Sequence, residues 1–180
     1  MNIFVLSLCP IEAAQFLCDK HIPKLIVECF QMLGSAQRRH GVNDAQMPLT
    51  SKGTPLLGGY HHHPATRFTG ETRQNYYWVC RHALAMLSEY QMRFKKTHAC
   101  TQGIIQLSLM GANIPEGALT DFAQCMPDRF KTDDAVFSYR FYYFIEKGYF
   151  AKWEKGRKMP DWFKELDDLH RSFISPACAE

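Results

Sequence analysis

The sequence predicts a mostly helical fold: one domain over residues 1–180, with a short extended segment at its start and a long Gly/Pro/His loop between the first two long helices. Three observations carry this. Apolar residues recur at helical spacing over residues 11–33, where Ile22, Leu25, Ile26, Cys29 and Leu33 follow i, i+3, i+4, i+7, i+11. A second helical pattern over residues 71–96 puts Tyr76, Cys80, Ala83, Leu84, Leu87, Gln91 and Phe94 on one face. Between them, residues 35–68 hold Pro48, Gly53, Pro55, Gly58, Gly59 and Pro64, and a loop this long inside a compact domain is usually functional or mobile.

Taken in order, Asn2 to Leu8 (NIFVLSL) reads as a strand or a buried extended segment. Pro10 opens the first helical pattern. Pro23 either kinks one long helix, or a short helix ends near Lys20 and a second begins with Pro23 in its first turn; Gly34 is its expected stop. Thr69 is the expected N-cap of the second long helix, with Lys95 and Lys96 at its end. Residues 101–110 predict a short helix, residues 113–117 a turn, and residues 119–126 a helical turn or two. Asp133 or Asp134 caps a helix through about Trp153, in which Phe137, Phe141 and Phe144 are assigned to the core, and a last short helix reaches about His170.

Bulk properties narrow the function. The net charge is +3, hydrophobic residues make up 46% and aromatic residues 13%, a mildly basic globular composition with rings to spare for stacking on bases. Seven cysteines are scattered with no C-x-x-C, which argues against a disulfide framework or zinc finger and for reduced thiols. No run approaches the ~18 apolar residues of a membrane span, and no targeting segment is visible, so a cytoplasmic protein is expected, in the host cytoplasm if it is viral. No cofactor is expected.

Four constellations are candidates for chemistry. Lys20, His21, Lys24 and Glu28 lie at the edge of the first helical stripe, with His21 and Glu28 two turns apart on one side; a partly desolvated carboxylate among cations suits a general base or the stabilisation of a cationic intermediate. Tyr60, His61, His62 and His63 precede Pro64, with Arg67 close behind, and in an extended segment His61 and His63 share a side. They suit phosphate or base contacts; a metal site is the weaker alternative, since no H-E-x-x-H spacing occurs. Arg73, Asn75, Arg81, Arg93, Lys96 and His98 mark the polar side of the second long helix and its exit, suited to phosphates, although Glu89 and Arg93 at i, i+4 also suit a simple ion pair. Arg140, Tyr142, Tyr143, Lys147, Lys152, Trp153, Lys155, Arg157 and Lys158 interleave cations with aromatics, as on a nucleic-acid surface.

Over roughly residues 1–95 these segments resemble the pyrimidine-dimer DNA glycosylase family, the phage endonuclease V type and its bacterial relatives. Lys20-His21 is followed by Glu28 at the spacing of the family's catalytic glutamate, and Gly59-Tyr60-His61-His62-His63-Pro64 with Arg67-Phe68 matches a Gly-Tyr-x-x-His-Pro segment of bacterial members. The chain also looks like a group of phage and giant-virus proteins with an Asn-Tyr-x-Trp core, here Asn75-Tyr76-Tyr77-Trp78. The resemblance implies a glycosylase with lyase activity on DNA. In such an enzyme the N-terminal α-amine attacks the sugar C1′ of an extruded nucleotide to form a Schiff base, and an amine with a reference pKa of about 7.7–8.0 is partly neutral at pH 7. It implies Glu28 as the catalytic carboxylate, His21 as a DNA contact or orienting group, and the amine of Met1 as nucleophile, because Asn2 is too large for removal of Met1. Val27 stands where the family often carries arginine. The alternative is a non-catalytic protein that binds a nucleotide or nucleic acid in the same cleft.

Overall fold

The computed structural model describes residues 1–174. It contains α1 (Pro10–Phe16), α2 (His21–Arg39), α3 (Pro64–Thr69), α4 (Arg73–Phe94), α5 (Thr101–Ser108), α6 (Ala135–Lys147) and α7 (Asp161–Ile174), with single 3₁₀ turns between. Among the described residues there is no strand, only an isolated antiparallel bridge between Leu49 and Pro55. The N-terminal segment is the buried extended alternative: Ile3, Phe4, Val5 and Leu6 are all in the core. Among the described residues no helix is long and apolar enough to cross a membrane.

α4 is the central helix. It packs against α1 and α2, and also against α3 and α5. Two packing faces explain why its buried set (Asn75, Tyr76, Trp78, Val79, Cys80, His82, Ala83, Met86, Glu89 and Arg93) exceeds the single stripe that periodicity marked. Its N-cap is Thr72, whose hydroxyl accepts from Asn75 N at 3.2 Å; Thr69 instead ends α3, its hydroxyl donating to Ala65 O at 2.7 Å. The Leu6, Leu17, Ile22, Leu25 and Ile26 side chains are fully buried around this axis, each worth about 1.5–3 kcal/mol of transfer free energy.

Pro23 sits in the first turn of α2, where a missing N–H costs nothing, so the two-helix alternative holds. Gly34 does not stop α2, which runs on to Arg39. Its missing side chain instead admits Leu56, whose Cδ2 would lie 2.4 Å from an added Cβ. The loop is seated on the same stretch by Ser35, whose hydroxyl donates to Gly59 O at 2.9 Å and accepts from Gly59 N at 2.8 Å. Gly58 has φ +82°, and a Cβ there would meet Ser35 N at 2.6 Å. Gly58→Ala therefore combines a left-handed backbone with a clash against a rigid helix. The expected loss is about 2 kcal/mol or more in urea unfolding; a change below a few tenths would mean the loop is not held this way.

Three further expectations fail. Residues 119–126 form no helix; their backbone is held by side chains, as where Thr120 N donates to Asn75 Oδ1 at 2.9 Å. α6 ends at Lys147 rather than near Trp153. Its buried face carries Ser138, Tyr139 and Tyr143, while Phe137 and Phe141 are exposed and stacked on each other and Phe144 is half-buried, because tyrosine hydroxyls find partners in the core. Asp134 does cap α6, accepting from Phe137 N at 3.0 Å, and α7 extends beyond His170. Six cysteines are unpaired, with Cys18, Cys29 and Cys80 buried; Cys178 lies outside the described residues.

Candidate active site

Glu28 is reached by helical register. His21, Lys24 and Glu28 stand at i, i+3 and i+7 on α2 and line one cavity of about 390 Å³. The N-terminal segment supplies its floor. Asn2 N donates to Glu28 Oε2 at 2.8 Å, and the same oxygen lies 3.9 Å from the Met1 amine. Lys24 Nζ is 3.6 Å from the other oxygen. Asn2 also fixes the terminus through its side chain, donating to Cys125 O at 2.8 Å and accepting from Phe4 N at 3.0 Å. Phe4, at φ +48°, reverses the backbone and stacks on His21 with centroids 5.0 Å apart.

The His-Pro motif contributes through α3. Pro64 occupies the first turn, and His63 is the N-cap, its Nδ1 accepting from Ala65 N at 3.2 Å. One turn on, the Thr66 hydroxyl donates to Met1 Sδ at 3.3 Å, and the Met1 side chain is fully buried. His63 is held below its ordinary pKa by burial and then by the N-terminal amine, with Glu28 opposing, so its ring feels both groups.

Charge in the cavity is lopsided. Lys20, Lys24, Lys147 and the Met1 amine surround the single carboxylate of Glu28. The effect registers on His21, whose pKa falls to about 3, first through burial and then through Lys24, Lys147 and Lys20. Its Nδ1 pairs with the Tyr143 hydroxyl at 2.7 Å. A neutral imidazole buried in this way does not serve as a cationic phosphate contact; it orients the wall of the cavity. The rim is aromatic: Tyr142, Phe150 and Tyr149, the last 86% exposed, with Lys20 4.5 Å above the Phe150 ring and Lys147 5.3 Å from the Tyr142 ring.

The remaining candidates are dispersed. His61, His62 and Arg67 line a separate cavity with Arg38 and Arg39, so His61 does not share a side with His63. Among the described residues no three His, Cys, Asp or Glu side chains converge as a metal site. Tyr60 is exposed at φ +54° and does not line the Glu28 cavity. Asn75 is fully buried, donating to Phe68 O at 3.0 Å and Thr120 Oγ1 at 2.8 Å, so it faces no ligand. Arg93 is 5% exposed and bound to Glu89 and Asp19, again a structural group. Arg157, read as part of a basic surface, binds Glu89 at 2.9 Å. Arg73 is bound to Glu116 at 2.7 Å, Arg140 donates to Leu6 O at 2.9 Å, and His98 Nδ1 accepts from Cys100 N at 3.2 Å. Lys96 is exposed beyond the end of α4. A larger cavity of about 1050 Å³ is lined by Asp121, Asp133 and Asp134 and would repel phosphates.

Sequence reasoning missed Asn2, Cys125, Tyr149 and Phe150 as lining residues. The long-range contacts that bring them in leave no periodic signal, although a polar Asn2 inside an apolar run was visible.

No curated protein and no solved structure matches the chain. The sequence profile of the pyrimidine dimer DNA glycosylase family, in contrast, matches residues 1–102, the stretch that supplies Met1, Glu28, His63 and the helix behind them, and the chain belongs to that family.

Proposed function

We propose that this DNA-glycosylase-type protein removes a damaged or modified base and then cleaves the strand, through a Schiff base formed by the Met1 amine and managed by Glu28. One observation carries the reading: in a chain that starts at Met1, the α-amine lies 3.9 Å from Glu28 Oε2 inside a cation-rich cavity. The neutral amine attacks C1′ of an extruded nucleotide; the C1′–N bond to the base breaks and the base leaves with the bonding pair and a proton. The nitrogen lone pair then forms the C=N bond as the C1′–O4′ bond breaks. O4′ keeps the bonding pair and takes a proton from water to become a hydroxyl, and Glu28 stabilises the charge of the protonated imine. Removal of a C2′ proton by a carboxylate at this position expels the 3′ phosphate by β-elimination. Lys20, Lys24 and Lys147 suit the flanking phosphates, and Tyr142, Tyr149 and Phe150 offer stacking faces for the extruded base.

The Met1 side chain supports the assignment, because its burial against Thr66 limits where the amine can move. Borohydride trapping on a duplex with an abasic site tests it. The expected adduct maps by mass spectrometry to Met1 and disappears when the amine is acetylated. An adduct on Lys24 or Lys20 would reassign the nucleophile. No adduct, with tight DNA binding intact, would favour the non-catalytic reading.

A further inference from the structure

We propose that Arg39 and Arg67 form a second phosphate site, which grips the DNA backbone within about five nucleotides of the reacting sugar. The register rests on the function proposed above; the site itself does not.

Arg38, Arg39, His61, His62 and Arg67 line a cavity of about 520 Å³ with no carboxylate among them. The three arginines are not equivalent. Arg38 has its charge answered by Asp44 at 2.6 Å. Among the described residues Arg39 donates to neutral carbonyls alone, Arg67 O and His61 O, each at 3.1 Å. Among the described residues the Arg67 guanidinium makes no hydrogen bond or ion pair. Burial, and next the Arg67 charge, make the Arg39 cation costlier to hold, and Glu71 opposes this. Glu71 and Asp121 line the cavity on the other side of Arg67 but, among the described residues, neither pairs with it. Two guanidiniums kept together with no acid in direct contact are relieved by an anion, and their forked donors match a phosphate.

Helix geometry ties this site to the cavity around Glu28. Glu28 and Arg39 both lie on the unbroken α2. Eleven residues separate them, three turns plus about 20°, so they share a face about 16 Å apart. One DNA strand advances about 3.4 Å per nucleotide, which makes that distance at most about five steps. The stretch of α2 between Glu28 and Arg39 is covered by Leu56, Gly58 and Gly59, so a polyanion would pass over this loop, with Lys24 beyond one end of it and the arginine pair at the other.

The test uses the full chain and a duplex carrying a tetrahydrofuran abasic analogue, with affinity measured between 50 and 200 mM salt. Arg67→Gln is expected to reduce the slope of log K against log salt by about 1, while Arg67→Lys keeps it. A scan of neutral methylphosphonate linkages is expected to find one, within five of the analogue, that weakens wild-type binding about tenfold and leaves Arg67→Gln unaffected. An unchanged slope, or no such linkage, overturns the proposal. Thermal stabilisation by inorganic phosphate with an unchanged DNA slope would make it a site for free phosphate instead, which also overturns it. Trapping of the wild type on an authentic abasic duplex separates the two readings: failure to trap, with the salt slope of the wild type and its loss in Arg67→Gln intact, would sink the Schiff base and leave the arginine site standing.

Discussion

Glu28→Gln is expected to slow base excision and strand cleavage by about 10²–10⁴-fold in single-turnover assays, the range for losing a positioned acid–base group. The fold should survive. A glutamine oxygen can still accept from Asn2 N, now at 2.8 Å from Oε2, and the carboxylate is already partly exposed with only Lys24 and the terminal amine as charge partners. DNA binding should tighten or hold, because removing the one negative charge from a cavity lined by Lys20, Lys24 and Lys147 removes repulsion of phosphates. A fall in rate with unweakened binding is thus the signature of the catalytic role. A variant that works at the wild-type rate would reduce Glu28 to an anchor for the N-terminus.

The second large effect concerns stability. Arg93 is buried at the crossing of α4 with the α1–α2 turn. It donates to Glu89 at 2.9 Å, Asp19 at 3.1 Å, Leu17 O at 2.7 Å and Gln15 O at 3.0 Å. Asp19 in turn accepts from Glu154 N at 2.7 Å, and Glu89 from Arg157 at 2.9 Å, so one guanidinium organises contacts that reach the segment after α6. Arg93→Met is expected to cost about 3–5 kcal/mol in urea unfolding, since it strands buried charge and carbonyls while conserving bulk. Against a total stability of about 5–15 kcal/mol that is a large share. A loss under 1 kcal/mol would mean the acids find water or Arg157 at little cost.

The same cluster sets a pH response. Burial pushes the Glu89 carboxyl up, but the hydrogen bonds from Arg157 and Arg93 outweigh it and leave the pKa below the ordinary value. A depressed folded-state pKa contributes stability that is fully present above about pH 4.3 and is lost as pH falls through the lower folded value. Wild-type stability should therefore drop on acidification below about pH 4.3, and the drop should shrink in Glu89→Gln.

The helical character of the chain, the two long helices, a cap at Asp133 or Asp134, Pro10 at a helix start and, as one of two alternatives, Pro23 in a first turn were legible in the sequence, because each rests on local backbone chemistry or on a repeat of about 3.6 residues; the short α3 that begins at Pro64 was not. The pairing of His21 with Glu28 on one face of α2 was legible too. What only the tertiary structure decided is which polar groups are internal. Asn75, Arg93 and Arg157 carry the same side chains as surface contacts, yet the first two are buried and Arg157 is tied to Glu89; a sequence window does not reveal that α4 is covered on more than one face. The triple histidine likewise divides. His63 caps α3 near the amine while His61 and His62 face the arginines, because Pro64 starts a helix and ends the extended run on which the alternation was built. The meeting of Met1 with Glu28 joins residues far apart in sequence, through Asn2, Thr66 and Cys125, and no local pattern encodes a contact made by chain reversal and packing.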